Sequence, residues 1–342
     1  MDTRRYVEQR LSEARAALAW RAADAREAAR WRRRACAVLR RMIGLPPGPA
    51  RVARLDRSEE RSFAGYRRWT VRFESRPGCE VFGYCLLPGG AGEPSPGVLC
   101  LPGHGRGVDS IVGIAADGAQ RALGEPAEYQ ADFALQCVAH GYPTLAIEQI
   151  SFGHRRDAQA RGEGAEASSC VRDSMAALML GETMTGWRVW DAMRALDVLA
   201  AMPEVDPLRL VTMGISGGGL TSLWTSALDT RVRACVVSGY LNSFRGSILS
   251  VDHCVDNSVP GILRSLEMPD IAALVAPRLL FAESGAEDPI FPLPTFRSAC
   301  ERLREVYRVC GRSDRFAFEV FEGDHRFHGV GAFQFLREHF SR

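Results

Sequence analysis

The feature that most constrains this chain is an alternation of short apolar runs with helical stretches, beginning near residue 66. RRWTVRFES and EVFGYCLLP read as two strands with alternating faces, joined by a turn at Pro77-Gly78. PGVLCLPGHG, TLAIEQ, LRLVTMG, RACVVSG, RLLFAES and FAFEVFEG follow, each bounded by glycine, proline or polar residues. Such runs are what strands buried on both faces of a parallel sheet look like. Between them lie EYQADFALQCVAHG, TMTGWRVWDAMRALDVLAAMPEV, TFRSACERLREVYRVCG and GAFQFLREHF. In the second of these, Trp187, Trp190, Met193, Leu196 and Leu199 recur at helical spacing. The alternation predicts an α/β fold with a doubly wound, mostly parallel sheet.

The chain outside that pattern sets the domain organisation. Residues 1–44 read as helix, because Leu11, Leu18, Trp31, Val38, Leu39 and Met42 punctuate alanine and arginine without a glycine or proline until Gly44. The segment LPPGPA at 45–50 then breaks it. This predicts an N-terminal helical extension over 1–50 and an α/β domain over 51–342, with insertions near 151–183 and 239–272. Insertions after the strands of a doubly wound sheet crowd its carboxyl edge, where ligands bind, so both are expected to wall a pocket.

Composition narrows the function classes. With 46% hydrophobic and 25% charged residues, the chain can bury a large core. A net charge of +2 gives no whole-chain field for nucleic acid or membrane, and the run WRRRACAVLRR reads as a solvated helix face. All 43 basic residues are arginine. That excludes a lysine Schiff base and a Ser-Lys dyad. None of the ten cysteines forms a C-x-x-C pair, which argues against a zinc ribbon or a thioredoxin-type site, and they read as buried thiols of a reducing compartment. His253-Cys254 suits packing better than chelation, so neither metal nor cofactor is expected. The opening MDTRRYVEQR lacks the apolar core of a signal peptide, and no run approaches the roughly 18 apolar residues of a membrane span. A cytoplasmic location is expected.

Chemistry enters at Gly214-Ile215-Ser216-Gly217-Gly218, a G-x-S-x-G sequence after the strand LRLVTM and before the helix GLTSLWTSAL. A serine on so sharp a strand-to-helix turn needs small neighbours. The helix also aims its free N–H groups at the serine, which makes the Gly217 amide one candidate oxyanion donor. The loop LPGHGRG supplies the second, the amide of His104. Asp288 is the candidate acid, after RLLFAES, with Glu283, Glu287 and Asp252 as rivals. His325 is the candidate base, directly off FAFEVFEG, with His328 as the alternative; His140 and His339 read as structural. The order Ser216, Asp288, His325 is that of a Ser…Asp…His triad.

These stretches resemble the α/β-hydrolase superfamily, and within it the dienelactone-hydrolase-like and acetyl-xylan-esterase-like branch. LPGHGRG, VWDAMRALDVLAAMPEVDPLRLVTMGISGGG, HCVDNSVPGIL, IAALVAPRLLFAESGAEDPIFP and FEGDHRFHG carry the likeness over roughly residues 80–340. It implies Ser216 as nucleophile, Asp288 as acid and His325 as base. Two departures matter. Many relatives have His-Gly-His-Gly where this chain has Pro102-Gly103-His104-Gly105, and dienelactone hydrolases use a cysteine where this chain has Ser216.

The leading expectation is a serine-dependent hydrolase of an acetyl or other small acyl ester, acting through an acyl-enzyme. Peptidase, thioesterase, lactonase or acyltransferase chemistry could use the same triad, and a non-catalytic binding protein is the reading from another class. A small-molecule ester is the expected partner, without nucleic acid or membrane; a homo-oligomer through the N-terminal helices is left open. For substrate binding the sequence offers Arg155 and Arg156, after TLAIEQ, and Tyr240 in the second insertion.

Overall fold

The computed structural model describes residues 2–46, 54–90, 92–125 and 128–340. Nine strands form one sheet: β1 (Asp56–Phe63), β2 (Tyr66–Arg76), β3 (Cys79–Pro88), β4 (Ser95–Leu101), β5 (Thr144–Ile147), β6 (Val205–Ile215), β7 (Val232–Ser238), β8 (Leu279–Gly285) and β9 (Phe316–Phe321). Their order is β1-β2-β3-β5-β4-β6-β7-β8-β9. The first three strands and β5 pair antiparallel, whereas β4 to β9 run parallel. The expected α/β architecture is the one found.

Strand alternation divides the core. Ala234 and Val236 of β7 face the cluster built with helices Phe133–Ala139 and Val330–Phe340, while Cys235 and Val237 face the cluster of Gly217–Leu228 and Leu293–Val309. Trp224 lies fully buried in the latter cluster, and its truncation to alanine should cost about 3–5 kcal/mol. The chain moves from β4 to β5 on one side and later to β6 on the other. This reversal opens a crevice at the carboxyl ends of β4 and β6, where ligands of such sheets bind.

Two departures from the sequence reading have physical causes. The stretch expected to be helical holds two helices, Thr3–Glu13 and Ala25–Met42. Between them the amides of Ala17 and Leu18 donate to the carbonyls of Arg264 and Ser265, and that of Trp20 donates to Asp270 Oδ1, so tertiary partners replace helical ones. Asp24 then caps the second helix through the Glu27 amide. The break expected at 45–50 falls mostly outside the described residues. β1, with sequence DRSEERSF, is exposed along almost its whole length and has no apolar alternation to reveal it. No helix among the described residues is long and apolar enough to cross a membrane.

Candidate active site

Ser216 sits between β6 and the helix Gly217–Leu228 with φ 56° and ψ −123°. A residue with a side chain rarely adopts this backbone, and its neighbours explain why it persists. The Ser216 amide donates to the Ser238 carbonyl at 3.0 Å. A methyl on Gly214 would strike the Gly218 carbonyl, and one on Gly218 would strike the Leu101 carbonyl. The glycines of the motif therefore let the helix pack directly on the ends of β6 and β4.

Asp288 follows β8 with its side chain fully buried. Its Oδ1 accepts the amides of Ile290 and Phe291 at 2.8 and 2.9 Å, and its Oδ2 bonds His325 Nδ1 at 2.7 Å. Burial pushes this carboxyl up, but the His325 bond and charge, with the two amides, outweigh it and hold the pKa below the usual value. The His325 ring lies between Tyr129 and Phe291, with centroids 5.7 and 5.6 Å away. Its Nε2 is buried without a hydrogen-bond partner. Ser216 and His325 line one cavity of about 750 Å³, within the range of small-molecule sites.

The rival residues lie elsewhere or do other work. Glu283 accepts the amides of His328 and Gly329 at 2.9 and 3.0 Å, bracing the segment that carries His325. His328 Nδ1 is 3.2 Å from Glu319 Oε2, and its ring stacks on Phe321. Asp252 lines the cavity but does not bond His325.

The loop after β4 approaches Ser216 closely. Gln149 Nε2 donates to the Pro102 carbonyl at 2.5 Å, Gln130 Oε1 accepts the Gly103 amide at 2.7 Å, and the Tyr129 hydroxyl donates to the His104 carbonyl at 2.5 Å. Neither the His104 nor the Gly217 amide hydrogen-bonds another described residue. Both lie beside Ser216 in sequence or space. The sequence reading did not single out Tyr129, Gln130 or Gln149, because neutral polar residues carry no distinctive spacing.

Arg155, Arg156 and Tyr240 are corrections. Arg155 is buried against Asp191, with an Nη1–Oδ2 distance of 2.8 Å, and also donates to the Glu148 carbonyl at 3.1 Å. Arg156 donates to the carbonyls of Gly153, Gly164 and Ala167, tying the first insertion to itself. Neither lines the Ser216 cavity. Tyr240 is 1% exposed and packs on Phe291 inside the core. Of the two insertions, Glu166 from the first and Val251, Asp252, His253 and Cys254 from the second do reach the cavity.

Under the His104 loop lies a polar cluster that the spacing did not reveal. His104 Nε2 is 3.1 Å from Asp256 Oδ2, which also accepts from Arg188 Nη1 at 2.6 Å. Arg188 Nη2 is 3.2 Å from Cys170 Sγ, and Asn257 donates to Asp256 Oδ1 at 2.8 Å. Burial pushes the Asp256 carboxyl up, but Arg188 and His104 outweigh it and hold it well below its usual value. Burial pulls His104 down, yet its bonds and charges with Asp256 and Cys170 carry it up to about 9. A signal was present: Arg188 is a charge in the helix Met184–Ala200, nearly all of whose residues are buried, and a buried charge demands a partner.

Comparison with known proteins gives the family and the fold. A sequence model of the Abhydrolase family matches residues 1–319. The chain is 29% identical over 236 residues to the putative hydrolase YtaP of Bacillus subtilis (strain 168), covering 68% of this chain and 73% of that one. Its fold is similar to that of a putative acetyl xylan esterase from Bacteroides fragilis (TM-score 0.79, 19% identity, 98% of this chain and 89% of that one). It is also similar to a glucuronoyl esterase from Solibacter usitatus (TM-score 0.66, 17% identity, 95% and 96%). The chain therefore belongs to the Abhydrolase family and is a hydrolase built on the α/β-hydrolase fold that its motifs resemble.

Proposed function

We propose that the protein is a serine-dependent hydrolase of small carboxylic esters, with Ser216 as nucleophile, His325 as general base and Asp288 as the group that orients the histidine. One observation carries the reading: a serine held at φ 56° faces the cavity lined by a histidine whose Nδ1 is bound to a buried carboxylate and whose Nε2 is free. Asp288 keeps the proton of His325 on Nδ1, so Nε2 can take the Ser216 proton as the hydroxyl attacks the ester carbonyl. The amides of Gly217 and His104 bind the oxyanion of the tetrahedral intermediate, with the helix N-terminus adding its positive end. His325 then gives the proton to the leaving alcohol. Water, activated by the same base, hydrolyses the acyl-enzyme.

The cavity of about 750 Å³ has room for a small-molecule ester. The esterase names of the acetyl xylan esterase and glucuronoyl esterase structures support that bond type. The test is turnover of p-nitrophenyl acetate by wild type and Ser216→Ala. The variant should stay folded and lose roughly three or more orders of magnitude in kcat/KM. Unchanged turnover would overturn the reading.

A further inference from the structure

Two thiols, an imidazole and a carboxylate from three separate segments converge beneath the His104 loop. His104 Nε2, Cys170 Sγ, Asp256 Oδ2 and the Cys254 thiol all lie within 4.8 Å of one another. The separations are 3.1 Å from His104 Nε2 to Asp256 Oδ2, 3.5 Å from Cys170 Sγ to Asp256 Oδ2 and 4.0 Å from Cys170 Sγ to His104 Nε2. A tetrahedral zinc ion with ordinary bond lengths spaces its ligand atoms about 3.3–3.8 Å apart. Those three separations lie within about half an ångström of that spacing, and the Cys254 thiol stays within 4.8 Å of the other three donors. We infer that His104, Cys170, Cys254 and Asp256 form a binding site for a zinc-class divalent cation.

The surroundings fit that assignment. Arg188 donates to Asp256 Oδ2 and Cys170 Sγ, and Asn257 donates to Asp256 Oδ1, so two of the four ligands are oriented by outer hydrogen bonds. Charge balances as well. Two thiolates and one carboxylate offset the divalent cation and the Arg188 guanidinium, with the imidazole neutral. The cation replaces protons on the donors, which leave to solvent, and no electron is transferred. Cys254 lines the open cavity and provides a route of entry. Bound there, the cation joins the loop after β4 to both insertions and clamps the segment that carries the His104 amide.

The test is metal uptake, read without catalysis. Wild-type protein is stripped with a chelator, incubated with zinc or cobalt(II) alone, freed of unbound metal and assayed for metal content and visible absorption. About one equivalent should be retained, and cobalt should give the sulfur charge-transfer and d–d bands of a tetrahedral thiolate site. Cys254→Ser, at the cavity wall, should bind at least about tenfold more weakly. Ser216→Ala should retain the full equivalent, so a failure of the esterase reading leaves this result standing. Two results would overturn the site. One is folded wild type that retains neither metal. The other is a chain mass lower by two hydrogen atoms, which would mean that Cys170 and Cys254 are joined as a disulfide.

Discussion

Gly103 and Ser216 stand too close for a side chain between them: a methyl on Gly103 would lie 3.1 Å from Ser216 Cβ and 3.0 Å from the Ile215 carbonyl oxygen. It would also strike the Tyr129 hydroxyl, which holds the His104 carbonyl. The loop after β4 can approach Ser216 only because residue 103 is glycine. Gly103→Ala should displace the loop and with it the His104 amide. We expect kcat for p-nitrophenyl acetate to fall by roughly two orders of magnitude, with the far-ultraviolet circular dichroism unchanged. Wild-type kcat in the variant would show that the loop's position is irrelevant to the chemistry.

The two histidines after β9 differ in what they touch. His325 holds Asp288 and lines the cavity, whereas His328 pairs with Glu319 away from it. His325→Ala should cost about as much activity as Ser216→Ala, because nucleophile and base act as a unit. His328→Ala should cost less than about tenfold and show mainly as a lower Tm. The opposite ranking, measured on the same ester, would reassign the base.

Glu148 gives the fold a pH dependence of its own. It is fully buried beyond β5, accepts the amides of Val108 and His154, and is packed against Gly107 and Gly153. Burial pushes its pKa from 4.5 up to about 7, against the smaller opposing effects of the Val108 amide and His154. Its stabilising contribution is therefore complete below about pH 4.5, where both folded and unfolded chains are protonated. It declines as pH rises and is lost above about pH 7, because the folded chain binds the proton more tightly. Glu148→Gln removes the titration. The stability difference between wild type and variant should shift by about 3 kcal/mol in the variant's favour between pH 4.5 and 8. Denaturant melts across that range measure it, and a difference independent of pH would contradict the shifted pKa.

Much of this architecture was legible because burial on both faces leaves a continuous apolar signature, as in VRACVVSG and LLFAESG. β1 was not, since an exposed edge strand carries no such signature. The N-terminal segment has the composition of a continuous helix, but the pairing of Ala17 and Leu18 with residues 264–265 depends on contacts far along the chain. Ser216, Asp288 and His325 could be picked out because each follows a strand, which ties sequence position to the carboxyl edge. Arg155 and Arg156 share that placement, yet their guanidinium groups turn to Asp191 and to loop carbonyls. Strand position locates a residue's backbone; it does not say where a long side chain points. The cluster of His104, Cys170, Arg188, Cys254 and Asp256 escaped for the complementary reason, because its members come from distant segments that meet only in the folded chain.

The central claim is that Ser216 is the reactive nucleophile, and covalent labelling tests it most directly. A fluorophosphonate reports a serine activated by a neighbouring base at a site that stabilises a developing oxyanion. Wild type treated with the probe should gain one adduct, located by peptide mapping on Ser216, and folded Ser216→Ala should gain none. An adduct that persists in Ser216→Ala, or that maps to another residue in wild type, would contradict the account.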